Sequence, residues 1–192
     1  MMTFLQLIDE HERLIDTLKQ DSQAISAIAL ASEAILQSLA AGGKIMFCGN
    51  GGSAADSLHL AAELVVRFET NRRALPAIAL TANSSTLTAH SNDIGFETVF
   101  SRQVEALGQA GDVLIAISTS GTSKNIIRAV QAANDKSIAT IAMTGTEGNT
   151  VAEQSTIAVK IPSQTTARIQ EAHIMVGHWW CQQIDQKFTE VS

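Results

Sequence analysis

Cysteine is scarce in this chain and basic residues are outnumbered, and each shortage narrows what the protein can be. Two cysteines, Cys48 and Cys181, with no Cys-x-x-Cys pair, leave no material for a disulfide framework or a thiolate zinc site. They fit a reducing compartment. Cys48 closes an apolar run and reads as a core thiol. Thirteen Lys and Arg against 19 Asp and Glu give a net charge of -6. With no basic stripe anywhere, a general nucleic-acid surface is excluded, and an anionic ligand must be held by local N–H and hydroxyl groups. No window approaches the ~20 apolar residues that span a bilayer. The amino terminus lacks the basic segment followed by an apolar one that marks a secretory leader. The expectation is a cytoplasmic protein with no membrane partner. Repeats, low-complexity tracts and linkers are also missing, so residues 1–192 read as one domain.

What remains is 45% hydrophobic and 17% charged, enough for a well-buried core and a subunit interface. Two amphipathic helical patterns come first, at about 2–20 and 22–41. Leu5, Ile8, Leu14 and Leu18 mark the face of one, and Ile25, Ile28, Ile35 and Leu39 that of the other. Gly42-Gly43 ends the pair. Five apolar runs follow, at 44–48, 76–81, 112–117, 138–143 and 156–161. Helical patterns or turn signals separate them at about 53–68, 84–92, 96–108, 122–135 and 147–152, and a last helix covers about 165–188. The alternation predicts an α/β fold with a parallel sheet covered on both faces, its ligand at the carboxyl ends of the strands. The helices of residues 1–41 show enough apolar surface to pack on another subunit.

The run from Cys48 to Glu63 is the most informative stretch. A strand gives way to glycines 49, 51 and 52, and a helix opens at Ser53. Glycine lets the backbone approach an anion, and Ser53 is a good N-cap over first-turn N–H groups that can face a phosphate. Further along, His59 and Glu63 are four apart and share a helix face. After the third apolar run comes Ser118-Thr-Ser-Gly-Thr-Ser123, five hydroxyls in six residues at a helix start. These donate to phosphate oxygens without adding charge.

Three segments together carry a family resemblance: Gly49-Asn-Gly-Gly-Ser-Ala-Ala-Asp56, Ile117-Ser-Thr-Ser-Gly121 and Arg168-Ile-Gln-Glu-Ala-His173. They resemble the sugar isomerase (SIS) domain and, more narrowly, the sedoheptulose 7-phosphate (phosphoheptose) isomerases, over nearly the whole chain. The resemblance implies a flavodoxin-like five-stranded parallel sheet with an N-terminal helical pair, and a homotetramer. The implied activity converts D-sedoheptulose 7-phosphate to D-glycero-D-manno-heptose 7-phosphate, the first step toward the ADP-heptose of bacterial lipopolysaccharide. Substrate positions implied are Asn50, Gly51, Gly52, Asn92, Asp93, Ser118, Thr119, Ser120 and Ser123, joined by Glu63 and Gln170. Ser53 adds itself from the loop pattern. The implied metal and catalytic positions are His59, Glu63, Gln170 and His178, and the metal is zinc.

Ketose–aldose isomerisation needs a base beside the carbon, an acid for the carbonyl oxygen and stabilisation of an enediolate. Glu63 and His178 are suited to acid–base work, and which of them acts at which atom stays open. Gln170 and His178 are eight apart on the last helix, about 80° around its axis, so both can point into one site. Zinc bound by these residues would compete with proton transfer, because a bound carboxylate is a weaker base. His173, about 140° from His178, reads as structural or interfacial. His11 and His90 have no evident partner and are expected to be exposed, Trp179-Trp180 is expected to seal the last helix, and Arg67 and Arg72 are within reach of a phosphate or a neighbouring subunit. Departures from the resemblance are Thr122 where many relatives carry Asn, Ala167 at a position acidic in some, and Val65-Val66 where Thr-Gly is frequent. A second SIS group, non-catalytic adaptors that bind the bacterial replication initiator, is resembled by Arg67-Phe-Glu-Thr-Asn-Arg72 and Leu75-Pro-Ala-Ile-Ala-Leu80. Those adaptors tend to lack the carboxylate and imidazole that this chain carries at Glu63 and His178.

Overall fold

The computed structural model describes residues 3–146 and 150–189. Five strands, β1 (Ile45–Gly49), β2 (Ala77–Ala79), β3 (Val113–Ile117), β4 (Ala139–Thr144) and β5 (Ile157–Lys160), form a parallel sheet of order β2-β1-β3-β4-β5. Every residue of β1 and β3 is buried. Strands covered on both faces carry no polar side, which is why they read as unbroken apolar runs. Register sorts the faces: Phe47, Ile115, Ile141 and Ile157 lie in one row across four strands. That row belongs to a cluster completed by α2 (Ser22–Ala40), α3 (Gly52–Val65) and α8 (Thr166–Phe188). Met46 and Leu114 point the other way, to α5 (Ser101–Leu107), α6 (Lys124–Asp135) and α7 (Thr150–Gln154).

The strand order reverses between β1 and β3. Loops leaving adjacent strands to opposite faces open a crevice at their carboxyl ends, the usual ligand position in such sheets. The two unusual loops of the sequence are the two that leave at this point.

Helix α1 (Phe4–Gln20) opens on a capping box between Thr3 and Gln6, and Asp21 caps α2 through the amides of Gln23 and Ala24. Gly42, at φ 85°, ends α2, with the Gly43 amide returning to Ser38. Of the expected helix faces, Leu14, Leu18, Ile28, Ile35 and Leu39 are buried, whereas Leu5, Ile8 and Ile25 stay exposed. By length and composition α2, 19 residues with a mean hydropathy of 1.3, would pass for a membrane span. This departs from the expectation that no window comes close. In this fold α2 lies against the core and its Ile28 carbonyl accepts the Trp180 indole N–H at 3.0 Å.

Other boundaries moved for local reasons. Strand β2 is only three residues long, because the chain turns at Ala82, whose amide bonds Ala79. The helix expected to reach residue 68 stops at Val65. The helix expected over 96–108 divides into a short 3-10 turn, Phe96–Thr98, and α5. Part of the helix expected at 147–152 lies outside the described residues; α7 begins at Thr150.

Candidate functional site

The loop after β1 turns at Gly51, which has φ 55° and is the N-cap of α3. Ser53, expected as the cap, is instead the second helical residue and is buried. A φ near 55° suits glycine and not serine, so the backbone turn decides the cap. The amides of Ser53 and Ala54 bond back to Asn50 and Gly51 at 3.0 and 3.1 Å, so these first-turn donors are engaged within the turn. Gly52 lies directly against the amide of Gln170, which a side chain at this position would displace.

The loop after β3 is built from its own hydroxyls. Ser118 Oγ accepts the Gly121 amide at 3.1 Å and donates to Ser123 Oγ at 3.3 Å. The Thr122 hydroxyl donates to Ser120 at 3.2 Å, and Gly121 supplies the turn with φ 66°. Ser123 is the N-cap of α6. Thr119, Ser120 and Thr122 line a cleft whose opposite wall is Ser163, Gln164 and Thr166 at the start of α8, a wall of neutral donors without a charge. The two loops are tied together by a residue to which the sequence reading gave no role. The amide side chains of Asn50 and Asn125 donate to each other reciprocally, 2.9 Å in both directions, and Asn125 is buried. Its place next to the Ser123 cap was the available signal.

The second group of functional side chains lies farther along α3 and α8, which run side by side. His59 Nε2 meets His178 Nε2 at 2.8 Å, and His59 Nδ1 faces Glu63 Oε1 at 3.6 Å. A hydrogen bond between the imidazoles requires one to donate and the other to accept. If His59 keeps its proton on Nδ1 toward Glu63, His178 is the donor. Phe68 stacks on the outer face of His178, centroids 5.3 Å apart. Exposed Leu58, Met175 and Trp179 surround the group. Asp56, to which the sequence reading also gave no role, shares this face of α3. Burial raises its pKa while His59 opposes the shift, and one of its oxygens is buried without a partner among the described residues.

The four expected zinc donors are of the right chemistry but are not gathered as a zinc site within one chain. Two nitrogens on one tetrahedral zinc stand about 3.3 Å apart, so imidazoles hydrogen-bonded at 2.8 Å must separate to admit an ion. Glu63 lies on the opposite ring edge of His59, and Gln170 is against Gly52, about 12 Å of helix rise from His178. Among the described residues, no three His, Cys, Asp or Glu side chains are disposed to hold a metal.

Several other expectations change. Asn92 and Asp93 are exposed at the end of α4 (Ser84–Asp93), bonded to each other at 2.8 Å. His90 is buried, with its Nε2 on the Thr98 hydroxyl at 2.9 Å. His11 is only partly exposed and joins Glu171 at 2.7 Å. His173 is buried as expected; burial pushes its pKa down to about 4, against the opposing hydrogen bond to the Thr144 carbonyl. Burial likewise pushes the Cys48 thiol up to about 12, the behaviour of a core cysteine. Trp180 is buried while Trp179 is partly exposed. Arg72 is fully enclosed and paired with Asp185, out of reach of any phosphate.

Comparison with known proteins places this arrangement. Residues 7–145 match the family model described as the SIS domain. A phosphoheptose isomerase of Roseiflexus sp. is 48% identical over 186 residues, 96% of this chain and 94% of the relative. One from Rhodospirillum rubrum is 54% identical over 155 residues, 81% of this chain and 82% of the relative. The solved phosphoheptose isomerase of Neisseria gonorrhoeae superposes with a TM-score of 0.86 at 44% identity, covering 93% of this chain and 95% of its own. That of Francisella tularensis gives 0.87 at 39% identity, covering 96% and 100%.

Proposed function

Because the chain belongs to the phosphoheptose isomerases of the SIS-domain family, we propose that it interconverts D-sedoheptulose 7-phosphate and D-glycero-D-manno-heptose 7-phosphate. The reaction moves a proton between C1 and C2 through an enediolate. The observation that carries this reading is the Glu63–His59–His178 group on the open face of α3 and α8. A protein that only docks a partner has no need of a carboxylate and two imidazoles held edge to edge.

In this reading the hydroxyl loop of residues 118–123 and the Asn50–Gly52 turn take the phosphate, and fixing that end orients the reacting carbons. Glu63 removes the carbon-bound proton, and His178, which has a donor or acceptor nitrogen on each edge, exchanges protons with the two oxygens. No step passes through a metal, since the donors of one chain do not fit one. Supply of heptose for lipopolysaccharide is the corresponding role.

A length argument bears on assembly. Glu63 is eleven residues beyond Gly52 along α3, about 16 Å of helix rise. The skeleton from C1 to the phosphorus of an extended heptose 7-phosphate spans only about 10 Å, at about 1.2 Å per bond. One substrate therefore cannot lie on both groups of the same chain if it runs along α3. The phosphate loops and Gln170 of one copy must face the Glu63–His178 group of another, and Leu58, Met175 and Trp179 supply apolar surface for that contact. A homotetramer provides such pairings.

Conversion of sedoheptulose 7-phosphate in deuterated water, followed by NMR, tests the proposal. Aldoheptose phosphate signals with solvent deuterium on the reacting carbons are expected. Saturable binding of the sugar phosphate without conversion would favour the adaptor reading. Asn125→Ala, which breaks the amide pair joining the loops, is expected to weaken inorganic phosphate binding about tenfold by calorimetry, the equivalent of losing one to two hydrogen bonds.

A further inference from the structure

Residues 66–76 between α3 and β2 form neither helix nor strand, yet one buried ion pair fastens them to the far end of α8. Asp185 accepts the amides of Glu69 and Thr70 on one oxygen, at 2.8 and 2.9 Å, and Arg72 Nε on the other, at 2.8 Å. The Arg72 side chain is wholly out of solvent. Its Nη2 donates to the Glu63 carbonyl at 2.7 Å, and its Nη1 donates to those of Leu64 and Arg73 at 2.9 and 3.1 Å. Glu63 and Leu64 lie in the last turn of α3, where carbonyls lack intrahelical partners. The guanidinium is therefore a helix cap delivered from the loop, and it rests on the main chain of the residue that carries the base. The same loop sets Phe68 against His178, ring planes 27° apart.

We propose that the Arg72–Asp185 pair is a positioning device for the isomerisation. Through residues 66–72 it fixes the placement of the Glu63 carboxylate relative to the His178 imidazole, without touching substrate. This rests on the isomerase reading above. The geometry calls for arginine: a planar fork reaches the Asp185 carboxylate and two carbonyls at once, which the single nitrogen of lysine cannot. Arg72→Lys therefore keeps the charge and releases the cap. A shift of about 1 Å in a reacting group is enough to cost about 100-fold in rate.

The test combines kinetics with NMR of the full chain labelled at histidine, the His178 signals being identified by their loss in His178→Gln. In Arg72→Lys, kcat is expected to fall about 100-fold with KM within about twofold. The His178 ring protons are expected to move downfield as Phe68 leaves its stack. Phe68→Leu, which spares the ion pair, should reproduce the downfield shift with a smaller loss of kcat, and it decides the matter if Arg72→Lys does not fold. Wild-type kcat with unmoved His178 signals in a folded variant overturns the proposal. So does a rise in KM at unchanged kcat, which would place Arg72 on the substrate. If the wild-type chain converts no sedoheptulose 7-phosphate, the isomerase reading fails, and the His178 signals alone decide whether the pair positions the imidazole.

Discussion

Glu63→Gln is expected to bind sugar phosphate with affinity close to that of the wild-type chain and to turn it over at least about 1000-fold more slowly, within the range for removal of a positioned general base. Glutamine has the same length and nearly the same volume, so the end of α3 and its Arg72 cap remain as they are. What disappears is the only carboxylate that faces His59 Nδ1 in the His59–His178 group. Phosphate binding belongs to loops at the other end of α3, so KM should hold while kcat collapses, the pattern of an interaction made only in the transition state. Steady-state turnover and equilibrium binding of sedoheptulose 7-phosphate, measured on the same preparation, give both quantities. Retention of a tenth or more of the turnover would remove Glu63 from the role of base.

The features that carry this prediction were unevenly legible in the sequence. The two glycine- and hydroxyl-rich loops declare themselves because each is a local solution to a local problem, a tight turn after a strand. The apolar runs of β1 and β3 do so because a strand buried on both faces has no polar register to confuse. The pairing of His59 with Glu63 follows from helical spacing alone. Its contact with His178 does not, since 119 residues separate the two imidazoles and only the packing of α3 on α8 joins them. Asn125 was missed for the same reason: its partner Asn50 is 75 residues away. Ser53 shows the reverse failure. Its composition makes it a good cap, but Gly51 takes the positive φ that the turn requires, and the helix starts one residue earlier. Arg72 was read as an exposed cation because nothing near it in the chain suggests Asp185, 113 residues on. Arginine in an irregular segment usually faces water; here the segment has been folded over its own guanidinium.

That enclosure sets the second large effect. Asp185→Asn is expected to destabilise the fold by about 3–5 kcal/mol, because it leaves a buried cation without its counter-charge. Arg72 cannot shed its proton to relieve the loss. Two amides that shared a carboxylate oxygen must also share a neutral carbonyl. Glu97→Gln is the control: it breaks the exposed Lys124 pair at 2.7 Å, and no resolvable change in unfolding is expected. Acid pH gives an independent check. Burial would raise the Asp185 pKa, but the Thr70 and Glu69 amides and the Arg72 guanidinium outweigh it and hold the carboxyl below its ordinary value. A carboxylate with a depressed folded pKa contributes its stability in full above the unfolded value, about 3.9, and loses it as pH falls through the folded one. Urea midpoints, taken at one protein concentration because self-assembly shifts them, should therefore separate wild type from Asp185→Asn by a constant amount at neutral pH. The two should converge only below about pH 4. A gap that closed between pH 7 and 5 would mean that a different group supplies the stability, and that the strap over Arg72 is held by something other than this carboxylate.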